Sequence, residues 1–206
     1  LKKRDIDFNA YGIEAIALEI YNKYQCLAAD FLGIQIPFSK CTFDIDEFIS
    51  ETEKNHLSPS LNKKFYFRES EIKAIEDSFK QNQFIILSGS AGVGKTMLAL
   101  EYAKARMITD EKWIVIKAIG NPNLEEIRES TCEYDCFVVD DLSSFGKNVL
   151  DVIQILKGKN VIVTSRKYLT NDLEDELKNL EAQYKIFDID TLSDENIKLI
   201  IKENLG

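Results

Sequence analysis

Apolar side chains at Ile13, Ile16, Ile20, Tyr24, Leu27 and Phe31 recur in steps of three and four. That spacing lays one apolar stripe along a helix over residues 8–32, which Gly33 and Pro37 end. A second, short helix is expected at 44–55. Asp44 and Glu47 make an N-terminal capping pattern, and Ile45, Phe48 and Ile49 supply the apolar face. The stretch NHLSPSLNKK, residues 55–64, is polar and reads as a linker. Residues 1–60 therefore read as a helical N-terminal segment or connector, set apart from the rest of the chain.

The pattern changes at residue 65. Phe65-Tyr66-Phe67 leads into RESEIKAIEDSFK, a helix with Ile72, Ile75 and Phe79 on one side. Strands then alternate with helices. The strands expected are 84–88, 113–118, 136–140, 160–164 and 184–189, with helices at about 95–108, 123–130, 146–157 and 171–181. Runs such as FIIL and FVV suit strands buried on both faces of a parallel sheet. The alternation implies an α/β fold with right-handed crossovers, here spanning residues 61–192. A last helix, 193–204, starts at Ser193 and opens a further segment, 193–206. The chain opens on Leu1 and closes on Gly206 at a helix end, and is expected to be a piece of a longer protein.

Composition narrows the class. A net charge of −9 argues against nucleic acid as a partner, because sequence-independent binding depends on Lys and Arg neutralising phosphates. No apolar run approaches the ~18–20 residues of a membrane span, and the N-terminus lacks the apolar core of a signal peptide. The expected location is cytoplasmic, away from membranes. The four cysteines form no C-x-x-C and read as reduced, mostly buried thiols; the one histidine, His56, reads as a surface residue.

The segment GSAGVGKT, residues 89–96, interrupts this ordinary picture. It puts three glycines straight after an apolar strand and just before the helix TMLALEYAKARM. Gly89, Gly94, Lys95 and Thr96 match every fixed position of G-x-x-x-x-G-K-[ST], the phosphate-binding P-loop. Four fixed positions at average composition give roughly a 1% chance of one accidental match in 200 residues, and the flanking elements lower it. The chemistry needs these residues. Backbone N–H groups wrap a phosphate chain only where no Cβ intervenes, and the helix N-terminus adds unpaired donors. Gly89, Ser90, Ala91, Gly92, Val93, Gly94, Lys95, Thr96 and Met97 are the expected nucleotide-binding residues. Lys95 would serve the β and γ phosphates and Thr96 a Mg²⁺ ion.

Two strand ends extend the site. Cys136-Phe137-Val138-Val139-Asp140-Asp141 is an apolar strand ending in two acids, and carboxyl ends of parallel strands face the ligand crevice. Asp140 is expected to hold Mg²⁺ and Asp141 to orient or deprotonate an attacking water. VIVTSR, 161–166, ends in Arg166, placed to contact a γ phosphate. The plain reading of all three is a solvent-facing residue at a strand end. No N-K-x-D motif lies downstream of the loop; Asn22-Lys23 lies upstream and continues Tyr24-Gln25. That favours adenine over guanine, hence ATP/ADP.

Taken in order, Tyr66-Phe67-Arg68-Glu69, GSAGVGKT, FVVDDLS, VIVTSR and YKIFDIDTLSDENIKLII resemble the STAND class of P-loop ATPases, relatives of AAA+ proteins that include NACHT and NB-ARC domains. The resemblance spans roughly residues 65–206. It implies a P-loop fold with a parallel five-stranded sheet in the order 5-1-4-3-2, flanked by helices, with one strand between those bearing the loop and the acid pair. It also implies that Arg68 lies near the nucleotide and that the last helix begins a helical lid. As an activity it implies a slow ATPase that works as an ATP/ADP switch. A trigger ligand, an effector domain and a homo-oligomer would belong to the full-length protein, in several prokaryotic members for anti-phage defence. Two other readings stay open from the residues alone: an AAA+ remodelling ATPase or nucleic-acid-associated loader, and a small-molecule kinase.

Overall fold

Two residues that no periodicity singles out, Thr42 and Phe43, form the first strand of the sheet. The computed structural model describes residues 39–54, 68–118 and 122–205. The expected helix at 8–32, the linker at 55–64, His56, Cys26 and Tyr66-Phe67 lie outside them. In chain order the elements are β1 (Thr42–Phe43), α1 (Ile45–Lys54), α2 (Glu69–Phe79), β2 (Phe84–Gly89), α3 (Lys95–Met107), β3 (Trp113–Lys117) and α4 (Leu124–Glu133). After these come β4 (Cys136–Asp140), a 3-10 helix (Leu142–Asn148), α5 (Val149–Ile155), β5 (Asn160–Arg166), α6 (Thr170–Asn179), β6 (Tyr184–Asp188) and α7 (Asp194–Leu205).

The sheet has six strands in the order β1-β3-β4-β5-β2-β6. The five strands read from the sequence are all parallel. Counted from the P-loop strand β2, they run 5-1-4-3-2, with β5 between β2 and β4. The sixth strand, β1, adds an antiparallel edge against β3, with Thr42 opposite Ile116 and Phe43 opposite Val115. This corrects the five-stranded expectation. The carboxylate of Glu126, on α4, holds the edge: it accepts from the Cys41 and Thr42 backbone N–H groups and from the Thr42 hydroxyl. A bound edge of this kind is closed to further pairing.

Alternation along the strands divides the core in two. Ile85, Leu87, Val115 and Val138 face one layer, formed with α1, α2 and α3. Phe84, Ile86, Ile116 and Val139 face the other, with α4, α5 and α6. All six residues of β2 are buried, as the FIIL run demands. Phe48 and Ile49 of α1 are 2% and 3% exposed, and each contributes roughly 1.5–3 kcal/mol by burial. The stretch 42–54 thus shares the core of the sheet, where the sequence reading had set residues 1–60 apart as a helical segment.

Three smaller differences have local causes. The helix expected at 146–157 is a 3-10 stretch followed by the short α5, because Gly146 takes φ 53°, ψ −121° and breaks the helix. Strand β5 runs on to Arg166 because Ser165 and Arg166 pair with Ser88 and Gly89. Of the thiols, expected to be mostly buried, Cys41 and Cys136 are buried and Cys132 is exposed on α4. Burial, with Glu126 nearby, pushes the Cys41 thiol up to about 12; burial, with Glu111, pushes Cys136 up to about 11. Both are packing residues, since only a thiolate is a nucleophile. The last helix keeps its expected cap: the Ser193 hydroxyl accepts from the Asn196 N–H at 3.2 Å.

Candidate nucleotide site

The loop after β2 is built from conformations that only glycine takes freely. Gly92 and Gly94 have φ of 79° and 92°. Gly89 answers a different need, space: a Cβ there would lie 2.5 Å from the Ile189 carbonyl oxygen. Gly94 stands at the N-cap of α3, and no side chain caps that helix. Its first N–H groups are therefore free to face a ligand, at the positive end of a 13-residue helix.

Lys95, in the first turn of α3, bends back over the loop. Its ammonium donates to the carbonyls of Gly89 and Ser90, at 2.9 and 2.7 Å. Among the described residues it has no carboxylate within ion-pair distance. Partial burial lowers its pKa; Asp141 and Asp140 pull it up and Arg166 pushes it down. An ammonium that is partly desolvated, unpaired and framed by backbone amides is suited to an anion.

The neighbouring residue, Thr96, donates its hydroxyl to Asp140 Oδ1 at 2.7 Å. Thr164, in β5, donates to the same oxygen at 3.1 Å. The other oxygen, Oδ2, pairs with the ammonium of Lys117 at 3.2 Å. Asp140 is only 7% exposed, so its charge is met by these three groups. A hydroxyl beside one carboxylate is a hard oxygen set, right for Mg²⁺ when phosphate and water supply the rest.

Asp141 takes a left-handed conformation, φ 50°, ψ 68°. Aspartate tolerates it better than most residues. Its N–H donates to Thr164 Oγ1 at 2.8 Å, and its Oδ1 accepts from the Ser143 hydroxyl. Its other oxygen faces Arg166 at 3.7 Å. Arg166, half exposed, also donates to the Tyr168 hydroxyl at 3.4 Å. Lys95, Thr96, Asp140, Asp141, Arg166 and Ala91 line one cleft of about 200 Å³, together with Thr164 and Ser165.

Three of the expected side chains are packed away from this cleft. Val93 is buried under the loop, and the Met97 side chain packs against the core. Arg68 sits behind the loop. It is 4% exposed and donates to the carbonyls of Val93 and Asp190, at 2.9 and 2.7 Å, and to Glu71 at 2.9 Å. It clips the loop to the chain beyond β6. Sequence reading missed Lys117 and gave Thr164 and Ser143 no role. Lys117 was within reach of the rule that singled out Asp140, since it too ends a parallel strand at the ligand side.

A family model described as "Novel STAND NTPase 3" matches residues 66–206. The chain belongs to that family. Membership agrees with the STAND resemblance drawn from the P-loop, the double acid and the arginine strand. Among curated proteins, the chain is 24% identical over 135 residues to a "Replication protein" of Onion yellows phytoplasma (strain OY-M). The match covers 66% of this chain and 33% of that protein, so the chain spans about a third of the length of that relative. Among solved structures, this STAND NTPase is similar to a closed-state reconstruction of Hsp104 with ATPγS and FITC-casein. The TM-score is 0.56, with 14% identity over 79% of this chain and 32% of that one. The S. cerevisiae Hsp104–casein complex in its extended conformation gives 0.53, with 15% identity over the same shares. At such identities the likeness concerns the fold, an α/β sheet domain like those of AAA+ P-loop ATPases. Among the described residues no helix is long and apolar enough to cross a membrane.

Proposed function

We propose that this chain is the ATP/ADP-binding module of a STAND signalling ATPase, a switch whose bound nucleotide is its state. The reading rests on the unpaired Lys95 ammonium standing over the glycine loop, beside the Thr96–Asp140 hydrogen bond. Gly89–Met97 would hold the phosphates, chiefly through backbone N–H groups, with Lys95 on the β and γ positions. Thr96 and Asp140 would hold Mg²⁺, which when bound neutralises charge on the phosphate oxygens. Asp141 would orient a water. Arg166 would sense the γ phosphate, and its 3.7 Å pairing with Asp141 supports that role. An anion arriving at the cleft competes for the guanidinium and frees the Asp141 carboxylate. Arg68 acts through Val93, as a positioning residue for the loop.

Oligomerisation, a trigger ligand and an effector, in a setting such as anti-phage defence, belong to this proposal for the full-length protein; so does a cytoplasmic location. Turnover tests the switch reading. A missing arginine finger costs about 10³–10⁵ in rate, so phosphate release should stay below about 0.01 s⁻¹. A rate near the ~10 s⁻¹ median of enzymes would favour an AAA+ remodelling ATPase or a kinase instead.

The relative called a replication protein favours a second reading, an NTPase that works on nucleic acid. The charge of −9 weighs against it. Binding of a labelled oligonucleotide that weakens steeply with salt would support that second reading.

A further inference from the structure

We propose that Lys117 is a tethered counter-ion of the metal-site carboxylate, and that helix α1 holds it there and so sets how much Mg²⁺ the nucleotide site requires. This rests on the nucleotide reading above.

Lys117 ends β3 directly beside Asp140 in the pairing of β3 with β4. Its ammonium lies 3.2 Å from Asp140 Oδ2, the carboxylate oxygen that neither Thr96 nor Thr164 uses. The same ammonium stands 5.1 Å from the centre of the Phe48 ring, within the range of a cation–π contact. Phe48 belongs to α1 and is buried, with Phe43 of β1 against it edge-on at 6.4 Å. The Lys117 N–H donates to the carbonyl of Cys41, the residue just before β1, at 2.9 Å. Lys117 is thus held by backbone and side chain to a segment that precedes residues 66–206, the part matched by the family model.

The sign of the effect comes from charge. A carboxylate already paired with an ammonium offers less negative potential to a divalent cation. The Phe48 ring face stabilises the ammonium in that place. Displacing α1 loosens Lys117, raises the effective charge of Asp140 and strengthens the hold on Mg²⁺. An event at the N-terminal segment would in this way be read at the metal site.

The test is binding of fluorescent ADP titrated with Mg²⁺, alongside the affinity in EDTA. Lys117→Met should lower the Mg²⁺ midpoint by about tenfold or more, a close charge pair being worth from about fivefold in bulk water to several hundred-fold near a protein surface, and leave the affinity in EDTA little changed. Lys117→Arg should keep the unaltered midpoint. Phe48→Leu keeps most of the packing and removes the ring; it should move the midpoint the same way by a smaller factor, and it carries the test should Lys117→Met fail to fold. An unchanged or higher midpoint in Lys117→Met, or an unchanged one in Phe48→Leu, overturns the proposal. A loss of affinity in EDTA as large as the change in the Mg²⁺ midpoint also overturns it, since Lys117 would then act on the nucleotide itself. If the unaltered chain binds no nucleotide, the nucleotide reading fails at its root and this proposal with it.

Discussion

Replacing Lys95 with alanine is expected to remove binding of a nucleoside triphosphate while leaving the fold in place. The only partners of its ammonium among the described residues are the carbonyls of Gly89, at the buried end of β2, and of the exposed Ser90. Water reaches the Ser90 carbonyl directly, so losing the donor costs the fold little. The phosphate has no such substitute. A hydrogen bond to a charged group contributes about 1.5–3 kcal/mol, and Lys95 would serve two phosphate positions. Affinity should fall by about 100-fold or more, beyond the range of an ordinary titration, with the circular dichroism spectrum and melting temperature close to those of the unaltered chain. Equal affinity in a folded Lys95→Ala variant would remove the P-loop argument.

Arg68→Met has the largest expected effect on stability. The substitution keeps much of the side-chain length and removes the guanidinium. Two backbone carbonyls, of Val93 and Asp190, then lose their donor in a region only 4% exposed at Arg68. Leaving such groups unsatisfied costs about 1–3 kcal/mol each. Glu71 is 28% exposed and can turn to water, so it adds little. The sum is about 2–6 kcal/mol, or a melting temperature lower by roughly 4–24 °C for a domain of this size. Because one carbonyl belongs to the P-loop, nucleotide affinity should fall as well. A thermal melt with a parallel nucleotide titration checks both. An unchanged melting temperature would mean that Arg68 does not clip the loop.

The parallel sheet was legible in the sequence because its strands are buried on both faces and so read as unbroken apolar runs. FIIL and FVV leave little else to expect. The P-loop was legible because its glycines answer backbone geometry, which spacing alone records. The edge strand Thr42–Phe43 was not. Two residues carry no periodicity, and their strand exists only through pairing with β3 and the Glu126 carboxylate on α4. Missing it, the reading also detached α1, whose helical pattern was plain but whose partners are distant in sequence. Asp140, Asp141 and Arg166 were found at their strand ends and do meet in one cleft with Lys95 and Thr96. Lys117 was passed over because it lies inside the expected strand 113–118, and only the register with β4 sets it against Asp140.

The central claim is that the cleft over the glycine loop holds an adenine nucleotide as a lasting state. The most direct measurement is to denature the purified protein and identify any released nucleotide by chromatography. The account predicts ADP at close to one per chain. No released nucleotide, with no saturable binding of added ADP or ATP, would contradict it.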